Sequence, residues 1–171
     1  SAPEPVLVST FDLKDGSKAS LCLGYDERFR KEGELVFFLK PTVSEPFIAG
    51  ASFSFEKLEN GEWICRIGCV QGADNDHRED KLWQKKMNGL RPKALMIYAI
   101  TEFSPHLGIP DDSGAGPPIQ SFRRKHAIYI ARFHKINFDY NKFWQELGGK
   151  EATDGWFLLP LEIPRKKPEE L

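Results

Sequence analysis

The sequence predicts an α+β fold: an antiparallel-dominated mixed sheet packed by two central helices and a C-terminal helix. Three observations carry that reading. Residues 6–70 alternate apolar and polar positions between strong turn signals. From residue 76 the apolar spacing lengthens to the helical period, in two segments parted by Gly89 and Pro92. After residue 138 a short aromatic segment ends at Gly148-Gly149, and one more apolar run follows.

Each element has its own signal. Val6, Val8, Phe11 and Leu13 mark a first strand, which ends at the Asp15-Gly16 hairpin turn. Leu21, Leu23 and Tyr25 share one face of a second strand. A charged turn over residues 26–33 leads to the apolar run 35–39, stopped by Pro41. Runs over 47–56 and 63–70 flank Asn60-Gly61, the strongest hairpin signal in the chain. Asp76 with Glu79 three residues later forms a capping-box pattern, opening a helix that runs to Asn88 with Gly89 beyond it. Pro92 suits the first turn of a second helix over 93–104, apolar on most sides and therefore buried. Residues 111–118 read as a Gly/Pro-rich loop, and 127–131 as a strand. A helix over 140–147 and a strand over 156–161 complete the order.

Hydrophobic residues make up 40% of the 171 positions, and thirteen Phe with four Trp supply enough apolar area for one core. We expect a disordered start (1–5), a single α+β domain (6–164) and a charged tail (165–171). Net charge is −1, from 24 basic and 25 acidic side chains, so no specific nucleic-acid partner is expected. No apolar run reaches the roughly 20 residues of a membrane-spanning helix. Ser1 to Pro5 lacks a signal-peptide pattern, and without an initiating Met the start reads as trimmed. Cys22, Cys65 and Cys69 form an odd set without Cys-x-x-Cys spacing, which points to free thiols and a reducing, cytoplasmic setting. Cys65 and Cys69, at even spacing in a strand, are expected on one face.

Several stretches taken in order are similar to the bacterial VirK/YbjX family, in its C-terminal part. They are the Tyr25-Asp26-Glu27-Arg28-Phe29 run, Gly68-Cys69-Val70-Gln71-Gly72, and Gly89-Leu90-Arg91-Pro92-Lys93. Phe138-Asp139-Tyr140-Asn141-Lys142-Phe143-Trp144 and Asp154-Gly155-Trp156-Phe157 complete the set. The family is defined largely as a domain of unknown function. Its members are associated with virulence, with envelope or lipid A changes and with tolerance of antimicrobial peptides. The resemblance therefore implies an envelope-associated role and leaves the chemistry open.

The residues themselves allow two classes of function. Gln71-Gly72 follows a strand and precedes a helix, as does the pyrophosphate turn of acyl-CoA-dependent acetyltransferases, and the order of elements is compatible with that fold. Arg91 and Lys93 flank Pro92 at a helix start, where cations and backbone N–H groups can hold a phosphate or carboxylate. In this reading acyl-CoA is the cofactor and His126, which corresponds to a family His, is the catalytic base. Against it stand Asp74 and Asp76 in the same turn, which suit capping instead. No His pair has ligand spacing on a helix, so no metal site is expected.

The alternative is a non-catalytic binding or regulatory protein that recognises an anionic lipid, small molecule, peptide or protein partner. It needs only the basic stretch Arg123, Arg124 and Lys125, extended by Arg132, which would also allow peripheral contact with the inner membrane. Reversing the charge of Arg123, Arg124 and Lys125 together is expected to weaken binding to anionic vesicles, with wild-type binding falling as salt rises. Wild-type protein that ignores such vesicles at low salt would end that expectation.

Overall fold

Turn chemistry sets the order of the sheet. The computed structural model describes residues 4–25, 35–42, 47–72, 77–119 and 138–163. Strands β1 (Val6–Asp12), β2 (Lys18–Gly24), β3 (Leu35–Lys40), β4 (Ala49–Lys57) and β5 (Trp63–Gly72) form the expected antiparallel meander. Gly16 and Gly61 take the left-handed conformations their hairpins demand, at φ 85° and 88°. The carboxylate of Asp15 accepts from the Ser17 N–H, and the Asn60 side-chain oxygen from the Glu62 N–H.

Helices α1 (His77–Lys86) and α2 (Pro92–Phe103) then carry the chain back, and β6 (Asp111–Ala115) runs parallel to β5. Asn88 and Gly89 both have positive φ (56° and 87°), which reverses the chain between the helices. Helix α3 (Tyr140–Glu146) begins at Asp139, whose carboxylate accepts from the Lys142 N–H. Strands β7 (Lys150–Glu151) and β8 (Trp156–Leu158) finish a sheet of order β1-β2-β3-β4-β5-β6-β8-β7.

The core lies between the helices and one face of this sheet. Phe37 and Phe53 stack at 5.3 Å, and Phe103 from the end of α2 meets Phe37 edge-on at 5.7 Å. Met96, Ile97 and Ile100 from α2, with Trp144 from α3, are completely buried beside them. The other face carries a smaller cluster of Cys22, Val36, Phe38, Phe47 and Cys69. There Arg66 joins four strands: it bonds Glu56 at 2.7 Å and Ser113 at 2.9 Å and stands over the Trp156 ring.

Two bulges adjust the faces. Val8 is an extra residue in β1, between Leu7 and Ser9, and Gly68 is extra in β5, between Ile67 and Cys69. The second corrects an expectation. Cys65 joins the helix-side core while Cys69 joins the opposite cluster, because the bulge shifts the alternation by one residue between them. All three cysteines are buried free thiols.

Residues 111–115 also differ from expectation, being a strand rather than part of a loop. Asp-Asp-Ser-Gly-Ala has little strand propensity, and what holds it is tertiary: β5 on one side, β8 on the other, and Trp144 over Gly114. The short β7 carries no periodic signal. The strand expected over 127–131, the cap at Asp76 and the tail 165–171 lie outside the described residues.

Strand β1 ends the sheet, and among the described residues nothing pairs with its outer edge. Val6, Leu7 and Val8 are 65%, 49% and 49% exposed there.

A Cβ at Gly114 would collide with the indole of Trp144, which is fully buried and cannot swing away. Gly114→Ala is expected to lower stability by about 1–3 kcal/mol, read as a lower urea midpoint with unchanged slope. An unchanged midpoint would mean that α3 is not seated through this contact.

Candidate functional site

Helix α2 packs chiefly on β3, β4 and β5, so among the described residues the helix-side face of β1 and β2 is partly uncovered. Between them lies a cleft of about 1080 Å³. Phe11, Leu21 and Phe37 from the strands form its floor, and Ala94, Leu95, Ala99 and Phe103 its helix wall. Met87 and Leu90 from the junction of α1 and α2 close one end. The lining runs from Arg91, just before α2, to His106, in the 3₁₀ turn after it. At 1.5 Å per residue that is roughly 20 Å.

The two ends of the cleft carry different polar side chains. Arg91 is the residue that precedes α2, but its side chain makes no cap. Instead its Nη1 lies 2.9 Å from an oxygen of Glu146 in α3, and its guanidinium stands over the Phe143 ring at 5.6 Å. Lys93 stands over the Phe138 ring at 4.4 Å. Phe138 and Phe143 touch each other at 5.3 Å, so one aromatic pair seats both cations. Glu102 and His106 line the opposite end.

Helix α3 is held against the sheet where β5 outruns β6. The Tyr140 hydroxyl accepts from the Val70 N–H at 3.2 Å and donates to the Val70 carbonyl at 3.1 Å. The Trp144 indole N–H donates to the Ala115 carbonyl at 2.9 Å. The Tyr140 bonds satisfy Val70 backbone groups beyond the reach of β6, and the Trp144 bond satisfies the last carbonyl of β6.

Beyond the far end of α2 lies a buried polar cluster. The Ser104 hydroxyl is 2.6 Å from Asp112 and 2.9 Å from the Ile100 carbonyl. Burial pushes the Asp112 carboxyl above its ordinary range, although hydrogen bonds from Ser104 and Cys65 pull the other way. Burial, followed by the neighbouring Asp112 charge, also pushes the Cys65 thiol far up, which makes it a poor nucleophile.

Of the site residues expected from sequence, Arg91 lines the cleft and Lys93 shares its aromatic seat. Gln71 and Gly72 are the last residues of β5, paired with Gly50 and Ala49, and neither lines the cleft. His126, Arg123, Arg124, Lys125 and Arg132 lie outside the described residues, as does the turn 73–76. Sequence reasoning missed Tyr98, Ala99, Glu102, His106 and Glu146. The signal was present: Arg91, Leu95, Tyr98, Glu102 and His106 recur at helical spacing as a mixed stripe along a largely apolar helix.

These features define a mixed α+β protein with a ligand-sized cleft beside its central helix. The chain belongs to the family described as "Protein of unknown function (DUF535)", whose profile matches residues 2–171. It is similar to the Escherichia coli (strain K12) "Uncharacterized protein YbjX", 28% identical over 161 residues, covering 92% of this chain and 47% of that one. It is also similar to an uncharacterized protein of Haemophilus influenzae, 26% identical over 112 residues, covering 61% and 34% respectively. The chain thus spans about half the length of the first relative and about a third of the second. No solved structure matches. Among the described residues, no helix is long and apolar enough to cross a membrane.

Asp112 gives the fold a pH dependence of definite sign. Its carboxyl is raised in the folded state, so the stabilisation it contributes is present at low pH and is lost as pH rises through the folded pKa. Wild-type protein should therefore lose stability relative to Asp112→Asn as pH climbs above the ordinary carboxylate range. Urea midpoints of both proteins across that range measure it, and parallel profiles would contradict it.

Proposed function

We propose that this chain is a binding protein for an amphiphile, held in the cleft between α2 and strands β1–β3. The carrying observation is the cleft itself: about 1080 Å³, at the upper end of small-molecule sites, with an apolar floor and charged groups at its ends. Apolar surface of this extent, left open by the described residues beside a well-filled core, favours a place where another molecule completes the burial. The envelope role implied by the family resemblance fits this reading, because envelopes are rich in amphiphiles. The anionic-partner residues Arg123, Arg124, Lys125 and Arg132 remain candidates for a membrane contact that would bring the protein to such a ligand.

A second reading is an acyltransferase-like enzyme in envelope or lipid modification. It is favoured by one observation: β5 ends at Gly72, α1 begins at His77, and a β6 parallel to β5 follows. Acyl-CoA would then place its pyrophosphate after Gln71-Gly72, offset by Arg91 or Lys93, with His126 as base. An extended arm leaving that turn along β5 would have to displace the Tyr140 hydroxyl from Val70. For this reason the cleft reading is preferred.

Filling the cleft tests it. Ala99 is half-buried on the α2 wall at the edge of the core, and Ala99→Trp would occupy the trough. Wild-type protein is expected to take up a neutral solvatochromic dye such as Nile red, and Ala99→Trp to weaken uptake at least tenfold, with an unfolding midpoint close to wild type. Equal uptake by both proteins, or none by wild type, would reject the cleft as the site.

A further inference from the structure

We infer that Asp112, Ser104 and the Ile100 carbonyl form a proton-loaded clasp between the end of α2 and β6, and that losing this proton as pH rises loosens the Phe103 wall and weakens the cleft's hold on its ligand. The inference rests on the cleft reading above and adds to it a means of regulation.

A count of hydrogens places the proton. Ser104 caps the end of α2 and is completely buried. Its hydroxyl has two oxygens within reach, the Ile100 carbonyl at 2.9 Å and Asp112 Oδ1 at 2.6 Å. A hydroxyl has one hydrogen, and neither a carbonyl nor an ionised carboxylate can supply another. With Asp112 ionised, one of the two contacts sets bare lone pairs against each other inside the protein. With Asp112 protonated, its O–H donates to Ser104 and the Ser104 O–H donates to Ile100, so both contacts are bonds. Burial favours the same form.

The elements around Asp112 offer no lysine or arginine to offset a charge. Strand β5 contributes the Cys65 thiol, bonded to the same carboxyl. Strand β6 itself contributes Asp111, whose charge repels a second one. Strand β8 leads into Leu159, whose N–H is taken by the Asp112 backbone carbonyl. Arg66, next to Cys65 on β5, is held instead by Glu56 and Ser113. Glu102 and His106, on either side of Ser104, are exposed and line the cleft. Among the described residues Asp112 forms no ion pair.

The clasp reaches the cleft through Phe103, which directly precedes Ser104 and lines the cleft. Its ring meets Phe37 at 5.7 Å and Phe53 at 6.3 Å, so a shift of Ser104 moves the wall against the floor. An ionised Asp112, only 8% exposed, needs water. Strand β6 is held by β5 on one side and β8 on the other. The 3₁₀ turn is the side that yields, since Pro105, His106, Leu107 and Gly108 are exposed. Its movement draws Ser104 and the last turn of α2 away from the sheet.

The test is a pH series on the whole chain, from about pH 4, where an ordinary Asp titrates, to about pH 9. Wild-type affinity for Nile red should fall about threefold or more across the series. Asp112→Asn should hold its affinity, because an amide donates to Ser104 without a titrating proton. Glu102→Gln and His106→Gln, which remove the titratable groups of the lining at that end, should keep the wild-type fall. Infrared difference spectra of wild type against Asp112→Asn should show a protonated carboxyl at a pH where ordinary aspartates are ionised. Unfolding midpoints near wild type show that these variants fold. If that band is absent, the clasp holds no proton and is refuted. If either lining variant flattens the profile, Asp112 is not the group that titrates. If the band is present but wild type and Asp112→Asn bind the dye alike at every pH, the coupling is refuted and the cleft reading stands. If the dye never binds, the cleft reading fails and this inference falls with it.

Discussion

At Gly114 the Trp144 side chain occupies the space where any other residue would carry its Cβ, and much of the molecule follows from that approach. The contact lets α3 lie against β6, where the indole N–H reaches the Ala115 carbonyl and Tyr140 reaches both backbone groups of Val70. Because α3 is held there, Phe138 and Phe143 stand under Lys93 and Arg91, and Glu146 meets Arg91. One steric allowance in the sheet thus decides where the charge of the cleft is placed. The cleft's apolar part has a separate origin in α2, whose Phe103 ring is fixed against Phe37 and Phe53.

Local signals in the sequence were reliable where local chemistry decides the structure. The hairpins at Gly16 and Gly61 need positive φ, and Gly supplies it without strain, so the meander could be read from its turns. The end of α1 was legible for the same reason at Gly89, although Asn88 joins it in the left-handed region. Asp139 and the paired glycines after α3 likewise bound that helix. Illegible parts were those decided by neighbours. Strand β6 has a loop-like composition and exists because two strands and a tryptophan enclose it. The bulge at Gly68 left no mark on the alternation of Cys65, Ile67 and Cys69, so the two thiols were assigned to one face and occupy two.

The candidate site was legible in part. Arg91 and Lys93 stood out because cations beside a proline at a helix start are unusual in kind. Glu146, their partner, is one of many acids in the chain, and only the folded arrangement singles it out. The cleft could not be read at all from composition, since it arises from α2 covering three strands of a wider sheet. Its wall residues Leu95 and Ala99 look like ordinary core positions. The mixed stripe that includes Tyr98, Glu102 and His106 becomes informative once the helix is known to have an uncovered side.

The bulge at Val8 also bears on the border of the sheet. Among the described residues the outer strand presents three neighbouring aliphatic side chains and an unpaired row of backbone donors and acceptors, the usual template for fibre-like stacking. Little charge guards it, since Asp12 at the far end is paired with Lys18. The extra residue lies at the end of its aliphatic stretch, where a bulge shifts the register that a straight incoming strand would need. A deletion that straightened this strand would leave the fold's interior intact and turn its border into an adhesive.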